Sequence, residues 1–398
     1  MTKKIKIAFL NDTMGPYHYA RLEASNILSD CTFVEFSNVD HTNYWNTSKE
    51  KIPKKVTLFD DKPITQKSKK EIKKRLYLVL NDINPDVVLI SGWDAVTSLL
   101  GVLWSKDNNI PIIILSESQS HDFKRSKIKE YIKKYLLKLF DSAFVGGKNQ
   151  IEYLSNLGFE EAKTFPGCDL VDNDYFKKNS YISDELRQNY LIELNLPQKF
   201  FFTSCRFIEK KNLKFLISAF KDFHKDNKSW NLVIAGDGPL SDDLKNMTSQ
   251  LKISDQVFFP GYIQYDRIPI LYGLSSCFIL PSTTEQWGLV VNESLACGKP
   301  VLVSNRCGSA PNLVKDKKVG YLFDPFNKKD LVEKMKSISE NDNLKIFSYN
   351  ASKVMDEFDK NHYSFNLNKA AVTAMDSYKV KKNFLSIFFL KFLILFSK

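Results

Sequence analysis

Short apolar runs that stop in glycine, proline or polar turns, each followed by a helix-period stretch, constrain this chain more than anything else in it. In the second half they are Phe200–Ser204, Trp230–Ala235, Val257–Phe259, Cys277–Leu280 and Val301–Ser304. Runs of four to six apolar residues read as strands buried on both faces, which a parallel sheet requires. Between them lie helical patterns such as Leu213 to His224 and the run from Trp287 to Cys297, which Gly298 and Pro300 stop. The first half repeats the alternation. Ile5 to Leu10 reads as a strand, a turn at Asn11-Asp-Thr-Met-Gly15-Pro-Tyr follows, and a helix covers His18 to Leu28. Strands at Val87–Ser91 and Pro111–Ser116, a helix from Asp94 to Trp104, a strand within 141–146, a helix from Asn149 to Leu157 and a strand near Lys163–Phe165 complete that half. Strand-helix alternation with short connections predicts α/β architecture: two Rossmann-like, doubly wound domains facing across a cleft.

The expected division is 1–180 for a first Rossmann-like domain and 190–365 for a second, with a polar boundary at 172–198. A helix over 366–382 is expected to return to the first domain, and 383–398 forms an apolar, basic tail. In such sheets ligands bind beyond the carboxyl ends of the strands, which is where the chemistry-bearing residues fall. Arg206 and Lys211 flank the loop after Phe200–Ser204, with a guanidinium fork and a point charge suited to a diphosphate. Glu285 and Glu293 follow Cys277–Leu280, and the amides of Gly288 and Leu289 open the helix between them, where an anion is favoured. The plainer alternative is a capped helix whose Glu285 merely complements the dipole. Gly15 could admit a ligand close to the backbone.

Composition excludes more than it selects. The chain has 398 residues, and its 57 Lys and Arg against 46 Asp and Glu leave +11. That excess suits a phosphorylated substrate or an anionic membrane, whereas no base-stacking platform or recognised motif points to nucleic acid. Six cysteines without a C-x-x-C pair read as reduced core thiols, and five scattered histidines offer no metal cluster. The opening apolar run is too short for a signal peptide and no stretch is long enough to span a bilayer, so a cytoplasmic chain is expected. Residues 124–140 form a basic amphipathic pattern, with Ile128, Tyr131, Ile132, Tyr135, Leu136 and Leu139 on one face; it suits either a membrane surface or an ordinary core-facing helix. Phe384 to Phe396 is almost wholly apolar, about 20 Å long as a helix, and fits interfacial insertion with Lys391 snorkelling, or burial on the protein itself.

Taken together, Arg206 with Lys211, Gly236-Asp237-Gly238-Pro239, Phe259-Pro260-Gly261-Tyr262, Pro281-Ser282, and Glu285 and Glu293 followed by Ala296-Cys297-Gly298-Lys299-Pro300-Val301 resemble the second domain of retaining GT-B glycosyltransferases of family 4, the glycosyl transferases group 1. The resemblance covers about residues 200–325; over the first half it rests on fold pattern and the Gly15 loop. It implies a metal-independent hexosyltransferase, with no cofactor beyond the nucleotide-sugar substrate. A UDP-sugar is favoured and GDP-mannose is the alternative. The acceptor implied is a lipid-linked or oligosaccharide one in surface polysaccharide synthesis, met peripherally at an anionic inner membrane face. Arg206 and Lys211 would hold the diphosphate, Glu285 the donor sugar, Glu293 the ribose, and the Gly288 and Leu289 amides the phosphate. Gly15, Gly236 and Tyr262 carry over as donor-binding positions.

Two departures matter. The family's Gly-Phe-Gly is Gln286-Trp287-Gly288 here. Its histidine after the strand Pro111–Ser116 is replaced by Ser116-Glu117-Ser118, with His121 further on, so Glu117 or His121 takes the place beside the reacting carbon. A non-catalytic nucleotide-sugar or lipid-binding subunit with the same fold is the reading from a different class.

Overall fold

In the computed structural model, residues 3–39, 53–93, 95–123, 125–379 and 384–396 are described, those of Asn341 and Phe384 by backbone alone. The starts of the helices expected at Asp94 and Lys124, and the ends of the 383–398 tail, lie outside these residues. The chain divides into two compact units, 1–170 with 360–398, and 171–359.

The first unit is a seven-stranded, wholly parallel sheet. Its strands are β1 (Lys6–Asn11), β2 (Asp30–Ser37), β3 (Lys55–Phe59), β4 (Val87–Ser91), β5 (Ile112–Ser116), β6 (Ser142–Val145) and β7 (Thr164–Pro166), in the order β3-β2-β1-β4-β5-β6-β7. Helices α1 (Pro16–Leu28), α2 (Lys69–Ile83), α3 (Val96–Asp107), α4 (Lys127–Leu137) and α5 (Lys148–Asn156) connect them. Their boundaries follow local chemistry. Ser68 and Glu71 form a reciprocal capping box at the start of α2, and Asn84 closes it in the left-handed region, φ 46°.

The second unit begins earlier than expected. Residues 171–198 are not a linker: they form α6 (Asn173–Asn179) and α7 (Asp184–Glu193), capped by the side chains of Asp172 and Ser183. Phe176 and Leu191 from these helices are buried in the second core, so a polar composition concealed one fully buried residue in each helix. The six-stranded parallel sheet follows, with β8 (Phe200–Ser204), β9 (Asn231–Ala235), β10 (Val257–Gly261), β11 (Cys277–Leu280), β12 (Val301–Ser304) and β13 (Gly320–Phe323), ordered β10-β9-β8-β11-β12-β13. Its helices are α8 (Leu213–His224), α9 (Ser241–Gln250), α10 (Ile268–Leu274), α11 (Leu289–Ala296), α12 (Lys328–Ser339) and α13 (Asn341–Asp356). Strand order reverses between β8 and β11, the switch point at which α/β sheets place ligands.

The last two helices, α14 (Lys360–Ser377) and α15 (Phe384–Phe396), belong to the first unit. Tyr363, Leu367, Ala370, Ala371 and Ala374 of α14 are buried there among Phe9, Phe33 and Phe144. The Ser142 hydroxyl donates to the Ala370 carbonyl at 2.7 Å. The first core is therefore closed by chain that follows the second unit. Leu367→Ala should lower the unfolding free energy of the first unit by about 2–5 kcal/mol, read as an earlier denaturation transition while the second unit's transition stays in place.

Candidate functional site

The loops after β8 and β11 meet at the switch point. After β8 a single turn at Glu209–Lys211 ends at Asn212, whose φ of 56° reverses the chain into α8. The Asn212 side chain donates to the carbonyls of Pro281 (3.2 Å) and Pro325 (2.9 Å), and the Thr283 amide donates to the Lys210 carbonyl at 2.9 Å. These bonds bring Lys211 Nζ to 2.5 Å from Glu285 Oε2, which also accepts from the Ser282 hydroxyl at 3.2 Å. Both side chains are about 15% exposed. Burial alone would lower the Lys211 pKa, but the facing Glu285 carboxylate outweighs it and the pKa is raised. Cys205 and Cys307 beside the pair are pushed up to about 12 by burial, which leaves them neutral. The charge at this edge therefore rests on Lys211, Glu285 and Arg206, which is exposed and has no ion-pair partner among the described residues.

A second contact fixes the helix entrance. Trp287 is not the start of the helix, as periodicity suggests, but a core residue whose Nε1 donates to Asn292 Oδ1 at 2.9 Å. Helix α11 begins two residues later because Gly288 stands before it with φ 92°. A Cβ there would lie 2.9 Å from Cys307 Sγ and 3.2 Å from Glu285 Cγ. The chain is held from the other side by Gly308 N–H to the Glu285 carbonyl (2.9 Å) and Ser309 N–H to the Trp287 carbonyl (3.1 Å). The Gly288 and Leu289 amides donate to no acceptor among the described residues, the orphan donors that make a helix start an anion site.

Gly236 shapes the neighbouring loop. Its φ is 130°, and a Cβ would meet the Cys205 carbonyl oxygen at 1.9 Å, so the loops after β8 and β9 run backbone to backbone. Phe207 N–H to the Asp237 carbonyl (2.8 Å) and Gly236 N–H to the Gly261 carbonyl (2.8 Å) complete that contact. Tyr262 follows, 40% exposed. Glu293, one turn into α11, is partly buried and accepts from the Tyr272 hydroxyl at 2.9 Å. Burial raises its pKa from 4.5 to about 7, against the lowering effect of that hydrogen bond.

In the first unit the expected residues are placed differently. Gly15 has φ −95°, ordinary extended backbone, and its amide donates to His18 Nδ1 at 2.8 Å. Burial, with Arg21 adding to it, holds His18 well below the usual imidazole pKa, so the ring is a neutral acceptor. The Gly15 amide is thus engaged rather than open to a phosphate. Glu117, directly after β5, lies 3.7 Å from Arg21 Nη1, and Arg21 Nη2 binds Asp169 Oδ1 at 2.9 Å. Burial, reinforced by Glu117, raises the Asp169 pKa well above the carboxylate range. Glu117, Cys168 and Asp169 bring ligand atoms within 4.8 Å of one another, yet Arg21 already supplies the positive charge there, and no cation is assigned. His121, partly buried, sits in the next turn. Sequence reading missed Arg21 and Asp169. The available signal was an arginine inside the apolar stripe Ala20, Leu22 and Ala24 of α1.

With this geometry in hand, comparison with known proteins is specific. Residues 186–354 match the family Glycosyl transferases group 1. The alpha-monoglucosyldiacylglycerol synthase of Streptococcus pneumoniae is 30% identical over 242 residues, 56% of this chain and 53% of that protein. The GDP-mannose-dependent alpha-(1-6)-phosphatidylinositol monomannoside mannosyltransferase of Mycobacterium tuberculosis is 28% identical over 201 residues, 49% and 48% of the two chains. The chain thus spans about half the length of these curated relatives. Among solved structures, Anabaena Alr3699/HepE in complex with UDP and glucose superposes with a TM-score of 0.70 over 92% of this chain and 98% of that one, at 16% identity. That likeness carries the fold, two Rossmann-like units as in GT-B glycosyltransferases.

The Glu293 proton gives a test that needs no ligand. Between pH 4.5 and about 7 the folded chain keeps this proton while the unfolded chain has released it. Stability from this group should therefore fall as pH rises through that window, by up to about 1.4 kcal/mol per pH unit, and level off above it. Denaturant unfolding of wild type and Glu293→Gln across the window should show the slope in the first and its loss in the second.

Proposed function

We propose, on the premise that the second unit belongs to the glycosyl transferases group 1 family, that the protein transfers a sugar from a nucleotide-diphosphate donor to a lipid-linked saccharide. The observation that carries this reading is the Lys211–Glu285 pair at the β8/β11 switch point, beside the Gly288 and Leu289 amides and Arg206, none of which has a partner among the described residues. Cation, carboxylate and amides at one sheet edge match the parts of a nucleotide-sugar: diphosphate, hydroxyls and leaving charge.

Arg206 and Lys211 bind the donor diphosphate, and the helix-start amides donate to its oxygens. Lys211 moves from Glu285 towards the phosphate as charge develops on the leaving oxygen, and it stabilises that charge electrostatically. Glu285, relieved of its partner, accepts from hydroxyls of the donor sugar. Glu293 accepts from the ribose hydroxyls, a role its carboxylate form performs best. Gly236 and Tyr262 bound the donor on the β9 and β10 side. Transfer proceeds with retention and without a protein-held metal.

The donor class is a UDP-sugar, in line with the UDP and glucose named for the Anabaena structure, with GDP-mannose the alternative named for the mycobacterial relative. One curated relative is named for a glycolipid product and the other for a glycolipid acceptor. This supports a lipid-linked acceptor in surface polysaccharide synthesis and work at the inner face of a membrane.

A thermal-shift screen of nucleotide-sugars, followed by transfer to a lipid-linked acceptor, tests the reading. Lys211→Ala and Glu285→Ala should each lower kcat/KM by about 10²–10³-fold, and product NMR should show the donor's anomeric configuration. Donor binding with no transfer, unchanged in both variants, would mean a non-catalytic binding subunit instead.

A further inference from the structure

Helix α15 is covered on one side only. Leu390 is fully buried, and Ile387, Phe389, Leu393 and Ile394 pack on the first core against α3 and α4. Lys69 of α2 donates to the Ile394 and Leu395 carbonyls at 2.9 Å each and so fixes the C-terminal end of the helix. The opposite face should then be polar, as on any helix that only closes a core. It is not. Leu385, Phe388, Phe392, Leu395 and Phe396 are 43%, 60%, 44%, 71% and 66% exposed. Three of them form a ladder, with ring centroids 6.3 Å apart for Phe388–Phe392 and 4.6 Å for Phe392–Phe396.

The exposed face continues onto α4. Phe389 meets Tyr135 at 5.6 Å, Tyr135 meets Tyr131 at 4.9 Å, and Tyr131 and Ile128 are 53% and 74% exposed. On the outward faces of α4 and α15 the exposed charge has one sign. Lys127, Lys129, Lys134 and Lys138 on α4 and Lys391 on α15 are all exposed. The acid within α4, Glu130, is turned inward, where it accepts from the Tyr153 hydroxyl at 2.7 Å and from Lys133 at 3.0 Å. Beside α4 a cavity of about 300 Å³ is lined by Lys134, Lys138, Lys163, Leu137, Phe140 and Phe159; Lys163 is paired with Glu160, which leaves two ammonium groups facing an apolar floor.

We propose that α15 and the outer face of α4 form a membrane-docking surface for an anionic phospholipid bilayer. The aromatic ladder enters the acyl boundary and the lysines meet lipid phosphates. A protein groove would offer pockets with polar rims, whereas a bilayer offers a flat apolar boundary beneath a negative surface, which matches a convex apolar ridge bordered by cations. The helix lies on the surface rather than crossing. At 13 residues it is about 20 Å long, short of a hydrocarbon core of roughly 30 Å, and its inner face is occupied by protein. Among the described residues no helix is long and apolar enough to cross. The inference deepens the proposed function, because a lipid-linked acceptor is met at such a surface.

The test uses the full chain without donor or acceptor, so failure of docking and failure of transfer are read separately. In sedimentation with phosphatidylcholine vesicles, added phosphatidylglycerol should raise the bound fraction. Phe388→Ser with Phe392→Ser, and separately Lys134→Gln with Lys138→Gln, should each weaken binding about tenfold or more with the melting midpoint unchanged, since the outward side chains do not support the core. Wild-type-like binding by both variants would overturn the proposal, as would indifference to phosphatidylglycerol. A lipid-free dimer dissolved by the phenylalanine substitutions would also overturn it, in favour of a second copy of the chain on this face.

Discussion

The Lys211–Glu285 ion pair is the constraint around which the second unit's loops are arranged. Two opposite charges about 15% exposed have given up most of their water, and a pair in that position holds only if its geometry is supported from outside. The support is backbone. Asn212 in the left-handed region turns Lys211 inward, Asn212 and Thr283 tie the two loops together, and Gly308 holds the carbonyl of Glu285 itself. Such a pair is poised rather than inert. In the proposed reaction an anion that reaches Lys211 would trade one partner for another, and the released carboxylate would then need donors of its own.

Close approach of main chain to main chain is the second theme. Gly236 and Gly288 both have positive φ, and a side chain at either would collide with a neighbouring loop. Glycine here does not confer looseness. It lets adjacent crossovers touch, and that contact turns three separate strand ends into one surface with orphan amides pointing outward. The first unit follows a different logic: Gly15 is ordinary extended chain, its amide is taken by a neutral His18, and the ionisable groups lie deeper, in Arg21 and Asp169, with Glu117 as their more exposed end.

Several features were legible in sequence because they depend on neighbours in the chain. Strand β8 and helix α8 occupy the residues their apolar periods mark, and Arg206, Lys211, Glu285 and Glu293 lie beyond parallel strands as expected. Helices α6 and α7 were illegible, since single apolar contacts at Phe176 and Leu191 in polar surroundings set no period. Trp287 was misread as helical because an apolar residue at a helix start looks periodic; its indole is committed to Asn292 and the core. Strands β2 and β3 and helix α2 escaped notice among the Lys- and Asn-rich residues around them.

The sequence by itself determined that the chain is two parallel α/β units and which loops carry the charged residues, because strand and helix periods and turn residues act over a few positions. Tertiary structure alone decided which charges meet. The pairing of Lys211 with Glu285 joins residues 74 apart, the capture of Arg21 by Asp169 joins residues 148 apart, and only the packing of adjacent crossovers brings them together. The same holds for α15: its apolar composition was plain, but that one face is consumed by α3 and α4 while an aromatic ladder stays exposed depends on how the helix sits on a core built from distant chain.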